Sequence, residues 1–273
     1  MVKVTDKDYY LDGFCKQICD KICDRVQKRK QDIVCLFDGR EGSGKTNASV
    51  ACAYYIGQET GRKFNEDNMF FDLDEMIKFA GSTKEQIILW DEAALGGLSS
   101  DWSNKSQRKL KAMLMVCRKL RHVFLFNVPR FYRLNADIIE RSLCLFHIYE
   151  NDKEQPGNFM FIGADSLIAL YNNWRSTKRA KYWSFKKVHG CFTYVIPKLI
   201  DEDKYEAAKD AAILKLANEE AKSTKESKQK DKWIEELNQL GEDYGIPKTI
   251  LMNRFDIPKS TWYDSLRVSR SAK

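Results

Sequence analysis

Eight consecutive residues, Gly39-Arg40-Glu41-Gly42-Ser43-Gly44-Lys45-Thr46, fit the pattern G-x-x-x-x-G-K-S/T at every fixed position. Each position has a physical reason. Glycines let the backbone turn tightly, so that successive N–H groups point inward at phosphate oxygens. Gly39, Gly42, Ser43 and Gly44 are accordingly the cradling positions. Lys45 then meets the β- and γ-phosphates of a nucleoside triphosphate, and the Thr46 hydroxyl is placed to coordinate Mg2+. A helix that follows would aim its positive N-terminal end at the same charge. The competing reading of these eight residues is a glycine-rich strand-to-helix turn.

A second constellation lies downstream. Trp90 closes the apolar run Ile87-Ile88-Leu89-Trp90, and Asp91-Glu92 stand at its carboxyl end. Parallel α/β sheets bind ligands at that edge, so Asp91 falls beside the loop, where it would hold the Mg2+ shell. Glu92, one residue on, faces another direction and is the candidate base that orients and deprotonates an attacking water. Such a base favours hydrolysis over transfer to an acceptor. An acidic cap on the next segment is the plainer alternative for both carboxylates. Asn127 closes Val123-Phe124-Leu125-Phe126 and is the candidate sensor of the γ-phosphate or lytic water. A strand-end turn residue ahead of Pro129 is its alternative.

These residues need a frame that brings them together. Short apolar runs suited to buried strands occur at Ile33–Phe37, Met69–Phe71, Ile87–Trp90, Val123–Val128 and Leu143–Tyr149, and helical patterns separate them. This alternation predicts an α/β fold: a three-layer P-loop NTPase with a mainly parallel central sheet. Residues 1–30 read as an N-terminal amphipathic helix, and residues 31–200 as the nucleotide-binding domain. Residues 201–232 read as a charged helical linker. The Ala93–Trp102 stretch reads as a loop beside the site.

Composition sets outer limits. The chain has 273 residues, ordinary apolar content and a net charge of +7, which permits nucleic-acid binding without demanding it. No apolar run is long enough to cross a bilayer and no secretory signal opens the sequence, so a cytoplasmic protein is expected. Of the eight cysteines, Cys15, Cys19 and Cys23 recur every four residues on one helical stripe, and no CxxC pair occurs. They read as small buried thiols, and no zinc site is expected.

Two segments carry positive charge in patterns of interest. Arg175, Lys178, Arg179, Lys181, Lys186 and Lys187 are interleaved with Trp174, Tyr182, Trp183 and Phe185. This suits either a nucleic-acid surface or a basic hairpin edge with inward aromatics. Residues 233–273 predict a small all-α unit of three helices, Trp233–Tyr244, Lys248–Phe255 and Lys259–Arg267, broken at Gly245-Ile246-Pro247 and Asp256-Ile257-Pro258. The last two helices suit a helix-turn-helix in which Lys259, Ser260 and Thr261 reach phosphates or base edges and Arg267 the DNA backbone. A docking module for a protein partner is the alternative.

The order of strand and phosphate loop, strand, strand with Asp91-Glu92, strand with Asn127, and a further strand resembles the additional-strand (RecA-like) ATPases with a catalytic glutamate. Cys117-Arg118-Lys119-Leu120-Arg121-His122, Val128-Pro129-Arg130-Phe131 and Ile138-Ile139-Glu140-Arg141 are similar to the HerA–FtsK class. That class includes viral genome-packaging and zonular occludens toxin-like ATPases. The resemblance covers residues 30 to 150 and implies ATP as the nucleotide and a homo-oligomeric ring or chain. It also implies an arginine contributed by a neighbouring subunit, for which Arg118, Arg121 and Arg141 are candidates. Two features depart from the class: Asn127 stands where glutamine is common, and no membrane segment of the toxin-like kind is present. The expected function is Mg2+-dependent ATP hydrolysis coupled to DNA handling, as in a packaging or translocation motor of a virus or mobile element. The alternatives are a nucleotide-gated DNA- or protein-binding regulator such as a helicase loader and, third, a small-molecule kinase.

Overall fold

A strand flanked by neighbours on both edges and by helices on both faces must be apolar throughout, and the four central runs of this chain are. The computed structural model describes residues 2–3, 9–91, 104–150, 156–185, 187–193 and 196–271. In chain order it contains β1 (Val2–Lys3), β2 (Tyr10–Leu11), α1 (Gly13–Gln27), β3 (Ile33–Gly39), α2 (Lys45–Thr60), β4 (Met69–Phe70), α3 (Leu73–Ser82) and β5 (Ile87–Asp91). These are followed by α4 (Asn104–Val116), β6 (Val123–Val128), α5 (Ala136–Arg141), β7 (Cys144–Tyr149), β8 (Asn158–Gly163), α6 (Ala164–Thr177), β9 (Val188–Cys191) and α7 (Ile196–Leu199). The chain ends with α8 (Glu202–Asp243), α9 (Lys248–Arg254) and α10 (Lys259–Ser271).

Seven strands form one sheet in the order β4-β5-β6-β3-β7-β8-β9. The first five are parallel; β8 and β9 extend the sheet antiparallel. The mainly parallel expectation holds. Strand β6 lies between β3, which carries the phosphate loop, and β5, which ends in Asp91. The sheet therefore has the inserted strand that the sequence resemblance implies.

Alternation along each strand sends side chains to two cores. Cys35, Phe37, Leu89, Leu125 and Phe146 pack with α1, α2 and α7 on one face. Leu36, Trp90, Phe126 and Leu145 pack on the other with residues of α3, α4, α5 and α6. Each fully buried aliphatic or aromatic side chain contributes roughly 1.5–3 kcal/mol. Among the described cysteines only Cys191 is exposed, and the sulfurs of Cys15, Cys19 and Cys52 lie within 4.8 Å of one another where α1 packs on α2. Among the described residues no helix is long and apolar enough to cross a membrane.

The chain divides into two compact units, residues 1–212 and 213–273. The second holds its own small core of Ile234, Leu237, Leu251, Met252, Ile257 and Trp262. The linker expected over 201–232 and the helix expected from Trp233 are not separate elements: both fall within α8. Alanine and long charged side chains are good helix formers, so nothing at residue 232 ends the helix.

His122 ties the amino ends of the strands together. It is fully buried, its Nδ1 accepts the Gln86 N–H at 3.1 Å and its Nε2 lies 2.9 Å from Ala80 O. This is a neutral imidazole with both nitrogens occupied, and burial holds it below the ordinary histidine range. The unfolded chain takes up a proton near pH ~6.5 and the folded chain does not. The His122 contribution is thus complete above that pH and is lost as pH falls toward the lower folded value, at up to ~1.4 kcal/mol per pH unit. Urea unfolding compared at about pH 7.5 and about pH 5.5 should show a shallower acid loss in His122→Gln than in wild type. Equal losses would show that His122 does not set it.

Candidate active site

The carboxyl end of β3 delivers the loop. Gly39 has φ +144°, and a Cβ there would stand 2.2 Å from the carbonyl oxygen of Ile148 on the neighbouring β7. Only glycine fits. The chain then turns through Gly42 and Gly44, both at positive φ, into α2. No side chain caps α2 at Gly44, so its first-turn N–H groups face the loop and are available to an anion. Arg40 O accepts from Ser43 Oγ at 2.7 Å and from Lys45 Nζ at 2.8 Å, and Gly39 O accepts from the same ammonium at 3.0 Å. Lys45 thus spans the mouth of its own loop. It is buried, which pushes its pKa below the ordinary lysine range against the opposing pull of Asp91, Asp38 and Glu41.

Thr46 and Asp91 meet. The threonine hydroxyl donates to Asp91 Oδ2 at 2.7 Å across 45 residues of sequence. Two hard oxygen donors at the edge of a phosphate loop are the chemistry that magnesium takes. Asn127 is register partner to both Asp91 and Phe37, which puts it between the two nucleotide motifs. Its side chain is fully buried, yet neither its amide nitrogen nor its oxygen has a hydrogen-bond partner among the described residues. An unpaired buried amide costs about 1–3 kcal/mol, and a ligand that pairs it recovers that cost. Glu92, the expected base, lies outside the described residues.

Strand order, glycine turn and the Thr46–Asp91 contact are all of one kind. The fold is that of a P-loop NTPase.

No protein-family profile matches the sequence, and no curated protein matches it. Solved structures with similar backbones include the N-terminal domain of zonular occludens toxin from Neisseria meningitidis. It is 15% identical, with 63% of this chain and 100% of that chain covered and a TM-score of 0.42. The genome packaging NTPase B204 from Sulfolobus turreted icosahedral virus 2, in complex with ATP-gammaS, is 11% identical over 50% of this chain and 94% of that chain, with a TM-score of 0.32. Rhizobiales Trip13 is 12% identical over 50% and 60%, with a TM-score of 0.34.

The arginine candidates lie at the opposite, amino-end edge of the sheet. Arg141 is paired with Asp32, and Arg121 with Glu85 at 3.0 Å. Arg118 is exposed and makes no ion pair among the described residues. In the C-terminal unit Lys259 and Ser260 are exposed at the start of α10, Thr261 is half-buried, and Arg267 is exposed. The next residue in α10, Trp262, anchors the helix in the core.

Several site residues escape the sequence reading. Tyr205, at the start of α8, donates to Asp91 Oδ2 at 3.4 Å, and burial followed by the Asp91 charge raises its pKa. Phe192 sets its ring against Gly44, where a Cβ would lie 3.0 Å from it. Asp38, fully buried, holds His147 Nδ1 at 2.8 Å and the Tyr182 hydroxyl at 2.7 Å. An acidic residue closing an apolar strand is a visible signal for Asp38; nothing in the sequence marks Tyr205 or Phe192.

Two glycine substitutions separate close approach from backbone conformation. Gly39→Ala meets a backbone carbonyl and should lower the thermal midpoint by an amount corresponding to about 1–3 kcal/mol. Gly42→Ala has open space around it and should cost about 1 kcal/mol through its positive φ alone. Equal midpoints for the two variants would contradict this ranking.

Proposed function

We propose that the chain binds ATP with Mg2+ and hydrolyses it, and that turnover is coupled to DNA. The observation that carries the nucleotide reading is the Thr46–Asp91 hydrogen bond beside the buried, unpaired amide of Asn127. The loop N–H groups and the amino end of α2 cradle the β- and γ-phosphates, and Lys45 exchanges its loop carbonyls for phosphate oxygens. Thr46 and Asp91 would hold Mg2+, which supplies charge neutralisation across those oxygens. Asn127 then has a partner in the γ-phosphate or the attacking water. Glu92 takes the proton of that water as its oxygen adds to the γ-phosphorus and ADP leaves. Positioning and electrostatics supply most of the rate in such a transfer.

The DNA reading rests on the C-terminal unit, whose α10 turns Lys259 and Ser260 outward from a core fixed by Trp262. Within a homo-oligomer, Arg118 is the arginine best placed to act on a neighbour, since Arg121 and Arg141 are held by partners in their own chain.

ATP turnover of wild type and Glu92→Gln, each with and without single- and double-stranded DNA, tests the proposal. Wild type should turn over faster on DNA, while Glu92→Gln should bind ATP and hydrolyse it about 10²–10⁴-fold more slowly. Turnover that is negligible and indifferent to DNA would reject the motor reading in favour of a nucleotide-gated regulator. Thr46→Ala should lose Mg2+-dependent nucleotide binding, measured by fluorescent ATP titration at varied Mg2+. Lys259→Ala should weaken DNA binding at low salt, and no change would remove α10 from the DNA contact.

A further inference from the structure

A second polar cluster sits on the other face of the sheet from α2, at the root of the phosphate loop. Asp38 immediately precedes Gly39, and its carboxylate is wholly engaged by the Tyr182 hydroxyl, His147 Nδ1 and a 3.4 Å contact from the Phe131 N–H. The Tyr182 and His147 rings stack with centroids 3.7 Å apart. Above this floor opens a cleft of about 670 Å³, with Arg40, Arg130 and Arg133 on its walls and Glu41 as the one exposed carboxylate among its described lining residues. The three arginine side chains are exposed and make no ion pair among the described residues. Lys181 adjoins the cleft residue Tyr182 in sequence.

Charge is half of what a nucleic-acid strand needs; the other half is a face for its bases. Trp183, next to Tyr182, is 65% exposed, stacks on His189 with centroids 5.2 Å apart, and carries the Lys187 ammonium over its ring. Its neighbour Tyr182 is turned inward to Asp38. Of these two neighbouring aromatics, Trp183 faces solvent and Tyr182 is anchored to Asp38, the residue that precedes the phosphate loop.

We propose that this cleft takes the phosphodiester backbone of single-stranded nucleic acid through Arg130 and Arg133, and that Tyr182 transmits its occupancy through Asp38 to the phosphate loop. Tyr182 is a positioning residue: it touches neither nucleotide phosphate nor lytic water, and acts by holding Asp38. The coupling half rests on the ATPase reading above; the binding half does not. Removing the two arginines that pair with strand phosphates should flatten the dependence of log K on log salt by about 1.4, roughly 0.7 for each phosphate.

The test uses the full chain and a fluorescent oligodeoxythymidylate, with anisotropy titrations over a range of salt. Arg130→Ala/Arg133→Ala should show the flattened slope, whereas Lys259→Ala/Arg267→Ala, altered only in the C-terminal unit, should keep the cleft's share. Tyr182→Phe retains the ring stack and loses the hydroxyl. It should bind the strand as wild type does, while the ratio of strand-stimulated to basal ATP turnover falls at least threefold. Thermal midpoints near that of wild type certify each variant as folded; should Tyr182→Phe miss this mark, His147→Phe, which keeps the ring stack and removes the other side-chain bond to Asp38, is expected to lower the same turnover ratio and takes its place. An unchanged slope in the arginine variant overturns the cleft as a strand site. Full stimulation in Tyr182→Phe overturns the transmission. A wild type that hydrolyses ATP but binds no strand sinks this inference alone, and one that binds strand without hydrolysing ATP sinks the ATPase reading and leaves the cleft standing.

Discussion

The hydrogen bond from Thr46 Oγ1 to Asp91 Oδ2 joins the ends of two elements that are not sheet neighbours. Strand β6 separates β3 from β5, which at ~4.8 Å per strand sets their carboxyl ends almost 10 Å apart. The loop closes that distance by carrying the chain from the end of β3 into α2, whose first turn brings Thr46 to Asp91. Asn127, on the strand between, is in register with both Asp91 and Phe37. Its side chain is buried there and its amide has no hydrogen-bond partner among the described residues.

The whole carboxyl edge obeys this constraint. Along β3, β5 and β6 the side chains are apolar until the last residue or two, where Asp38, Asp91 and Asn127 stand, and β7 carries His147 third from its end. Asp91 and Asn127 emerge on the α2 face, Asp38 and His147 on the other. The two sets differ in how they are satisfied. Asp38 has its oxygens occupied by Tyr182, His147 and a backbone N–H, as a buried carboxylate must. Asn127 has no such partners among the described residues. The first arrangement ties the residue before the loop to three other segments; the second leaves a buried amide on the strand next to Asp91 without a partner among the described residues.

Cysteine plays a packing part in the same frame. Cys15 and Cys19 on α1 meet Cys52 on α2, and Cys35 pairs in register with Cys144 between β3 and β7. Thiols are small enough to let α1 and α2 approach closely over the sheet. Adjacent turns of α2 use Ala48, Ala51 and Ala53 in the same core. The helix that starts at the loop thus packs largely through small side chains from Ala48 to Ala53, before the larger Tyr55 and Ile56.

Much of this was legible in the amino-acid order. Glycine spacing before Lys45-Thr46 specified a tight turn, because Gly39, Gly42 and Gly44 all take positive φ, which other residues adopt only at a cost. Strand-length apolar runs separated by helical patterns specified a layered parallel sheet, and the acid at the end of Ile87–Trp90 specified which edge carries the chemistry. The register that sets Asn127 between Phe37 and Asp91 belongs to the tertiary structure, since it is fixed by how neighbouring strands pack and not by any one of them. The same holds for Tyr205 against Asp91 and Tyr182 against Asp38, contacts that span 114 and 144 residues. Local sequence determines what a segment becomes and which end of it is polar; which distant hydroxyl completes a buried carboxylate is decided only when the layers close over it.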